Sequence, residues 1–207
     1  MLEFVTIGVV LGISAGFAPG PLLALVIAET LRHGVGAGVL VALSPILTDL
    51  PIVVLTLVVL SQLSGFQSVL GGISLLGGIV VLFMGWGSMN PKPAGVGEAD
   101  PVPRSLLKGV LANALSPHPY LFWFSVGAPI MTRAKDTGWT AGAVFICGFY
   151  VCLIGSKVLL ATLVGRSRAF LTGRAYRLIM RVLGAALCIL ALLLFRDGLQ
   201  LLGVLPS

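Results

Sequence analysis

Charge is scarce in this chain of 207 residues: Asp, Glu, Lys and Arg make up only 10% of it, where a soluble domain uses about a quarter. Without that polar surface a soluble globular fold is excluded, and the 57% of hydrophobic residues with a mean hydropathy of +1.09 place the chain among integral membrane proteins. Cysteine is also sparse. Cys147, Cys152 and Cys188 form no Cys-x-x-Cys pair, and their spacing fits neither a zinc set nor a disulfide framework. There is no Walker loop, no Gly-x-Gly-x-x-Gly and no His-Glu-x-x-His, so ATP-driven transport by this chain alone and metalloprotease chemistry lack their parts. No catalytic nucleophile with its base can be assembled. The expectation is a non-enzymatic protein with no cofactor and no resident metal. The net charge of +6 comes without any basic run interleaved with aromatics, which argues against a nucleic-acid partner.

What is abundant is long apolar sequence. Runs able to cross about 30 Å of hydrocarbon occur at roughly 4–28, 37–60, 68–89, 105–130, 138–164 and 178–195. Stretches such as "PIVVLTLVVL" are apolar on every side, unlike the alternating segments of a transmembrane β-barrel. The segment "MLEFVTIGVV" has no Lys or Arg before its apolar run, so it reads as a mature span and not as a cleaved signal. The expected fold is therefore all-α: six transmembrane helices in a single transporter domain, 1–207. Lys and Arg divide nine to three between alternate loops, with Lys157 inside a span. Because the excess stays cytoplasmic, both termini are expected outside.

Residues 90–104, "NPKPAGVGEADPVPR", are the only linker-like stretch and separate half one (1–89) from half two (105–207). Three spans per half would place related halves in opposite orientations across the bilayer. "APGPLL" in the first span and "SPHPYL" in the fourth set Pro19-x-Pro21 against Pro117-x-Pro119. Each is followed by a Gly-rich helix start, at 34–38 and 138–142. The expectation is two inverted three-helix repeats, with spans 1, 2 and 4 broken at proline. Proline removes a backbone hydrogen bond at about 3 kcal/mol, and broken helices in matching places point to a transporter's binding site.

Ionisable residues inside a membrane are costly and mark function. Asp49 stands near the centre of the second span, between Pro45 and Pro51, and Lys157 stands in the fifth. They either form a buried ion pair, or Lys157 snorkels toward the cytoplasmic end. Asp49 also suits the N-cap of a helix restarting at Pro51. Pro45, Asp49 and Thr56 form a polar stripe with Ser44 and Thr48 alongside, and Asn113, Pro117 and Tyr120 repeat the pattern with Ser116 and His118 beside them. A histidine in this setting is a simple hydrogen-bonding residue or a proton carrier; His33, in a short loop, is assigned no role. Gly12, Gly16 and Gly20, four apart, form a small-residue ladder for packing inside the bundle or at a homo-oligomer face.

The length, the six spans, the "PGP" of the first, the Gly-rich helix starts, the acid in the second and the "SPHP" break at 116–119 together resemble the lysine exporter (LysE) and threonine/homoserine (RhtB) family of translocators. The resemblance implies an inner-membrane exporter of amino acids or related metabolites driven by an ion gradient. It also implies a transport core at Pro19, Gly20, Pro21, Asp49 and residues 116–119. The chain departs from the family where Ser116-Pro117-His118 replaces the usual Asn-Pro-Lys and where "SPILT" precedes Asp49, which leaves substrate and coupling ion open. A divalent-metal exporter is the competing class, though only Asp49 and His118 would serve as ligands. An accessory membrane subunit comes third.

Overall fold

A computed structural model of the chain describes residues 1–58, 66–89, 103–167 and 173–205, and every element among them is helical. The chain runs α1 (Leu2–Phe17), α2 (Pro21–His33), α3 (Val35–Val58), α4 (Phe66–Met89), α5 (Pro103–Ala114), α6 (Pro117–Phe122), a π-helical turn (Trp123–Gly127), α7 (Ala128–Thr137), α8 (Trp139–Ser167) and α9 (Gly173–Leu201). Four stretches are long and apolar enough to cross a membrane: Val35–Val54, Ser68–Met89, Trp139–Ser167 and Arg174–Leu201. The pair α1 and α2, bent by 62° at Ala18–Gly20, makes a fifth if counted as one span. The chain is thus a multi-pass membrane protein. The expected fourth span, 105–130, is not one helix but the series α5, α6, π turn and α7. Most of the expected linker, including Lys92, lies outside the described residues, as does Arg168.

The second span corrects the expectation. It is not broken: α3 continues through both Pro45 and Pro51, so Asp49 lies in mid-helix and caps nothing. Pro45 has no amide to give to the carbonyl one turn back, that of Val41. Ser44 Oγ donates to that same carbonyl at 2.7 Å and replaces the missing bond. The sixth span is longer than expected, and α9 takes in Arg196 and Asp197.

Helix directions follow from which residues touch. Gly8, Gly12 and Gly16 meet Phe145, Phe149 and Ser156 in order, so α1 and α8 run parallel. Gly109 lies against Val41 and Ser44, and Asn113 bonds Thr48 and Asp49, so α5 and α3 also run parallel. Gly71 faces Gly198 and Gly85 faces Gly184, so α4 and α9 are antiparallel. The Gly12–Gly16 ladder therefore serves packing inside the bundle, while Gly20 has no neighbour within 4 Å of where a Cβ would stand. Gly34 and Gly138 end α2 and α7 at φ 94° and 129°, where a side chain is strained. Their amides donate to Thr30 O and Ala134 O, each at 2.9 Å.

Two effects compete at Gly12. Ala is the better helix former by about 1 kcal/mol, but a Cβ there would lie 2.4 Å from the backbone oxygen of Phe149, which cannot move without shifting α8. The clash wins: Gly12→Ala is expected to lower stability by about 1–3 kcal/mol, and Gly20→Ala to leave it near wild type. Thermal unfolding of both variants in detergent checks this; equal midpoints would contradict the packing described.

Candidate functional site

Pro19 and Pro21 follow the last turn of α1. Four residues earlier stand Ala15 and Phe17, whose carbonyls would have accepted the amides those prolines lack. Gly16 O loses its donor as well, because Gly20 is extended (φ −173°). Water cannot repair such a loss inside a bilayer. Lys157 does, reaching from α8 to donate to Gly16 O at 2.8 Å and Ala15 O at 3.4 Å. An ammonium at a helix carboxyl end also meets the favourable end of its dipole.

The second break uses neutral groups. Pro117 leaves Asn113 O without its amide, and Ser116 N–H takes that place at 3.2 Å. Tyr120 Oη donates to Ala114 O at 2.8 Å. Ser116 Oγ lies 3.0 Å from His118 Nδ1. Pro21 and Pro117 occupy the same place, first residue of a helix after an extended cap at Gly20 or Ser116. By this structural equivalence Pro21 matches Pro117, a shift of two residues from the pairing read in the sequence.

Both breaks open on one cavity of about 380 Å³. Of the expected site residues, Pro19, Gly20, Pro21, Asp49, Asn113, Ser116, His118, Pro119 and Lys157 line it. Ser44, Pro117 and Tyr120 do not: Ser44 is fully buried against Gly109, and Tyr120 serves the end of α5. Asn113 Nδ2 donates to Asp49 Oδ1 at 2.7 Å and Thr48 Oγ1 at 2.6 Å, and Thr48 Oγ1 lies 3.2 Å from the same carboxylate oxygen. The expected ion pair is not made as a direct contact. Among the described residues Asp49 is held by Asn113 and Thr48 and approached by Tyr150 of α8, and Lys157 is held by the end of α1, so the two charges face one cavity and act on each other across it without touching. Lys157 does not snorkel, being 3% exposed.

The sequence reading missed the aromatic wall. Phe122, Trp123 and Phe149 line the cavity, with Phe122 and Phe149 stacked at 5.0 Å and Trp123 edge-on to Phe149 at 5.7 Å. Tyr150 of α8 buries its hydroxyl beside the Asp49 carboxylate. Leu190, Leu193, Leu194 and Asp197 of α9 complete the lining. Their signal in the sequence was only an apolar helix ending in "FRDG".

Apolar helices enclosing a cavity with a few polar and charged groups at two proline breaks have the build of a membrane translocator for small molecules. Consistent with this, the family described as LysE type translocator matches residues 13–198, and the chain belongs to that family, whose members export small molecules across membranes. No curated protein and no solved structure gives a significant match.

With Lys157 held by the carbonyls of α1, Lys157→Met is expected to cost about 2–6 kcal/mol, two buried acceptors being left bare at about 1–3 kcal/mol each. Asp49→Asn, which keeps an acceptor for Asn113, is expected to stay near wild type. Denaturation midpoints in detergent decide; an equal loss in both variants would restore the ion pair.

Proposed function

We propose that this chain is a secondary-active exporter of amino acids or related small metabolites, working by alternating access in the plasma membrane and coupled to protons or another ion. The observation that carries the proposal is that Asp49 and Lys157 both line one cavity at the two helix breaks, each held by its own hydrogen bonds. A zwitterion matches that pair of charges. Its ammonium would meet the Asp49 carboxylate, and its carboxylate the Lys157 ammonium and the free amides that open α2. The leucines of α9 and the rings of Phe122 and Phe149 leave an apolar surface for the rest of the molecule.

Support for inverted repeats comes from the packing. Exchanging the halves maps α1 on α5, α3 on α8 and α4 on α9. The parallel pair α1 and α8 then becomes the parallel pair α5 and α3, and the antiparallel pair α4 and α9 maps on itself. The glycine turns at Gly34 and Gly138 correspond in the same exchange. In such a carrier the halves, joined in one domain, rock about a fixed site, with both termini outside by the basic-residue bias.

Asp49 is the coupling group in this scheme. It binds either the substrate ammonium or a proton, so loading and release follow its protonation. In proteoliposomes an imposed pH gradient is expected to drive flux of at least one amino acid, and Asp49→Asn to abolish the pH dependence while the protein stays folded. Unchanged pH dependence would remove Asp49 from coupling, and flux of a divalent metal in place of amino acids would move the cargo to the competing class.

A further inference from the structure

Asp49 is not the only buried acid. Glu29 on α2 is 2% exposed, and both of its oxygens are taken by α5. Ser105 Oγ donates to Oε2 at 2.6 Å, and Lys108 Nζ lies 2.8 Å from Oε1. His33, one turn on, brings Nε2 to 4.0 Å from the same carboxylate. His33 is therefore a neighbour of this cluster and not the merely solvated loop residue of the sequence reading. Arg32 beside it donates to the carbonyl of Gly87 on α4.

The position of the cluster says what it does. Leu22 and Ala112 line the cavity. Glu29 lies seven residues beyond Leu22 on α2, and Ser105 seven residues before Ala112 on α5, which is about 10 Å along each helix. Behind Ala112, on the way to the cluster, pack the buried apolar residues Leu25, Val26, Val41, Ala42 and Ala161. The two helices thus run side by side from the helix breaks to a charged contact at the end of the bundle that carries the Gly34 turn. One belongs to each half of the chain.

We propose that Glu29, with Ser105 and Lys108, forms a clasp between the halves that seals this end of the transport path and parts when the cavity turns to that side. The inference rests on the alternating-access reading above. A charged clasp suits a gate for a physical reason. Closed, its carboxylate is shielded and doubly bonded, so removing one partner is costly; once α2 and α5 separate and water enters, both charges rehydrate and most of that cost vanishes. Lys108, 27% exposed, already stands at the edge where water would arrive.

The test needs no cargo. With Cys147, Cys152 and Cys188 replaced by Ser, Leu22→Cys reports access to the cavity through labelling by a membrane-impermeant maleimide applied to one face or the other. Glu29→Gln is expected to raise labelling from the face of the Gly34 turn by about tenfold, and the exchange Glu29→Lys with Lys108→Glu to bring it back down. Labelling that ignores Glu29→Gln in folded protein would overturn the clasp. Should Glu29→Gln not fold, the pair Glu29→Cys with Ser105→Cys takes its place: a disulfide there is expected to stop flux until reduced, and full flux while locked would overturn the clasp. Flux in the parent protein with labelling blind to Glu29 removes the clasp alone; Glu29-dependent labelling without flux of any amino acid keeps the clasp and removes the exporter reading.

Discussion

A backbone carbonyl inside a bilayer must find a donor within the protein, and this constraint organises the molecule. The prolines at positions 19 and 21 strip two donors from the end of α1, and the extended Gly20 strips a third. One lysine amine, from a helix in the other half of the chain, serves two of the carbonyls left over. For it to reach them α8 must lie against α1, which Gly8, Gly12 and Gly16 allow by letting the backbones touch. The break, the glycine ladder and the buried cation are therefore one device.

The other prolines show the same constraint met without charge. Ser44 covers Val41 O beside Pro45, and Tyr120 and the Ser116 amide cover the end of α5. The two breaks are thus electrically unlike. The first carries a cation drawn to carbonyls, while the second lies next to the carboxylate that Asn113 and Thr48 hold. The cavity between them holds charges of both signs, Lys157 against Asp49 and Asp197, and in the proposed scheme this favours a zwitterion over an anionic cargo.

Much of this was legible in the sequence. Apolar runs gave the membrane class, and Pro19, Pro21, Pro117, Asp49 and Lys157 stood out because prolines and charges are expensive in lipid. Most of the residues singled out for the site do line the cavity. The failures share a cause: the partner had no letter of its own. Lys157 was matched to the one acid in view, although its partners are main-chain carbonyls. Pro45 looked like a break, because a serine hydroxyl standing in for an amide reads only as a polar residue; α3 runs on through Pro51 as well. Glu29 was passed over and Lys108 counted as a topology signal, since near the end of a span a charge facing water and one facing another helix look alike.

The contacts between the halves fall into two kinds, and their energetics differ. Where α4 meets α9 the contact is close and mostly apolar, with Gly71 on Gly198, Gly85 on Gly184 and a single buried hydrogen bond from Ser74 Oγ to Leu194 O at 2.7 Å. In lipid no hydrophobic force holds such helices together, so the contact depends largely on van der Waals packing and weakens steeply with a small separation. Where α5 meets α2 and α3, and α8 meets α1, the contacts include charged hydrogen bonds from Lys108, Asn113 and Lys157. These weaken when water enters, because water offers replacement partners. A motion that wets the cavity therefore costs little along the broken helices and much along α4 and α9. In the proposed alternating-access scheme the antiparallel pair would be the stationary seam, and the segments around the two proline breaks would be the parts that move.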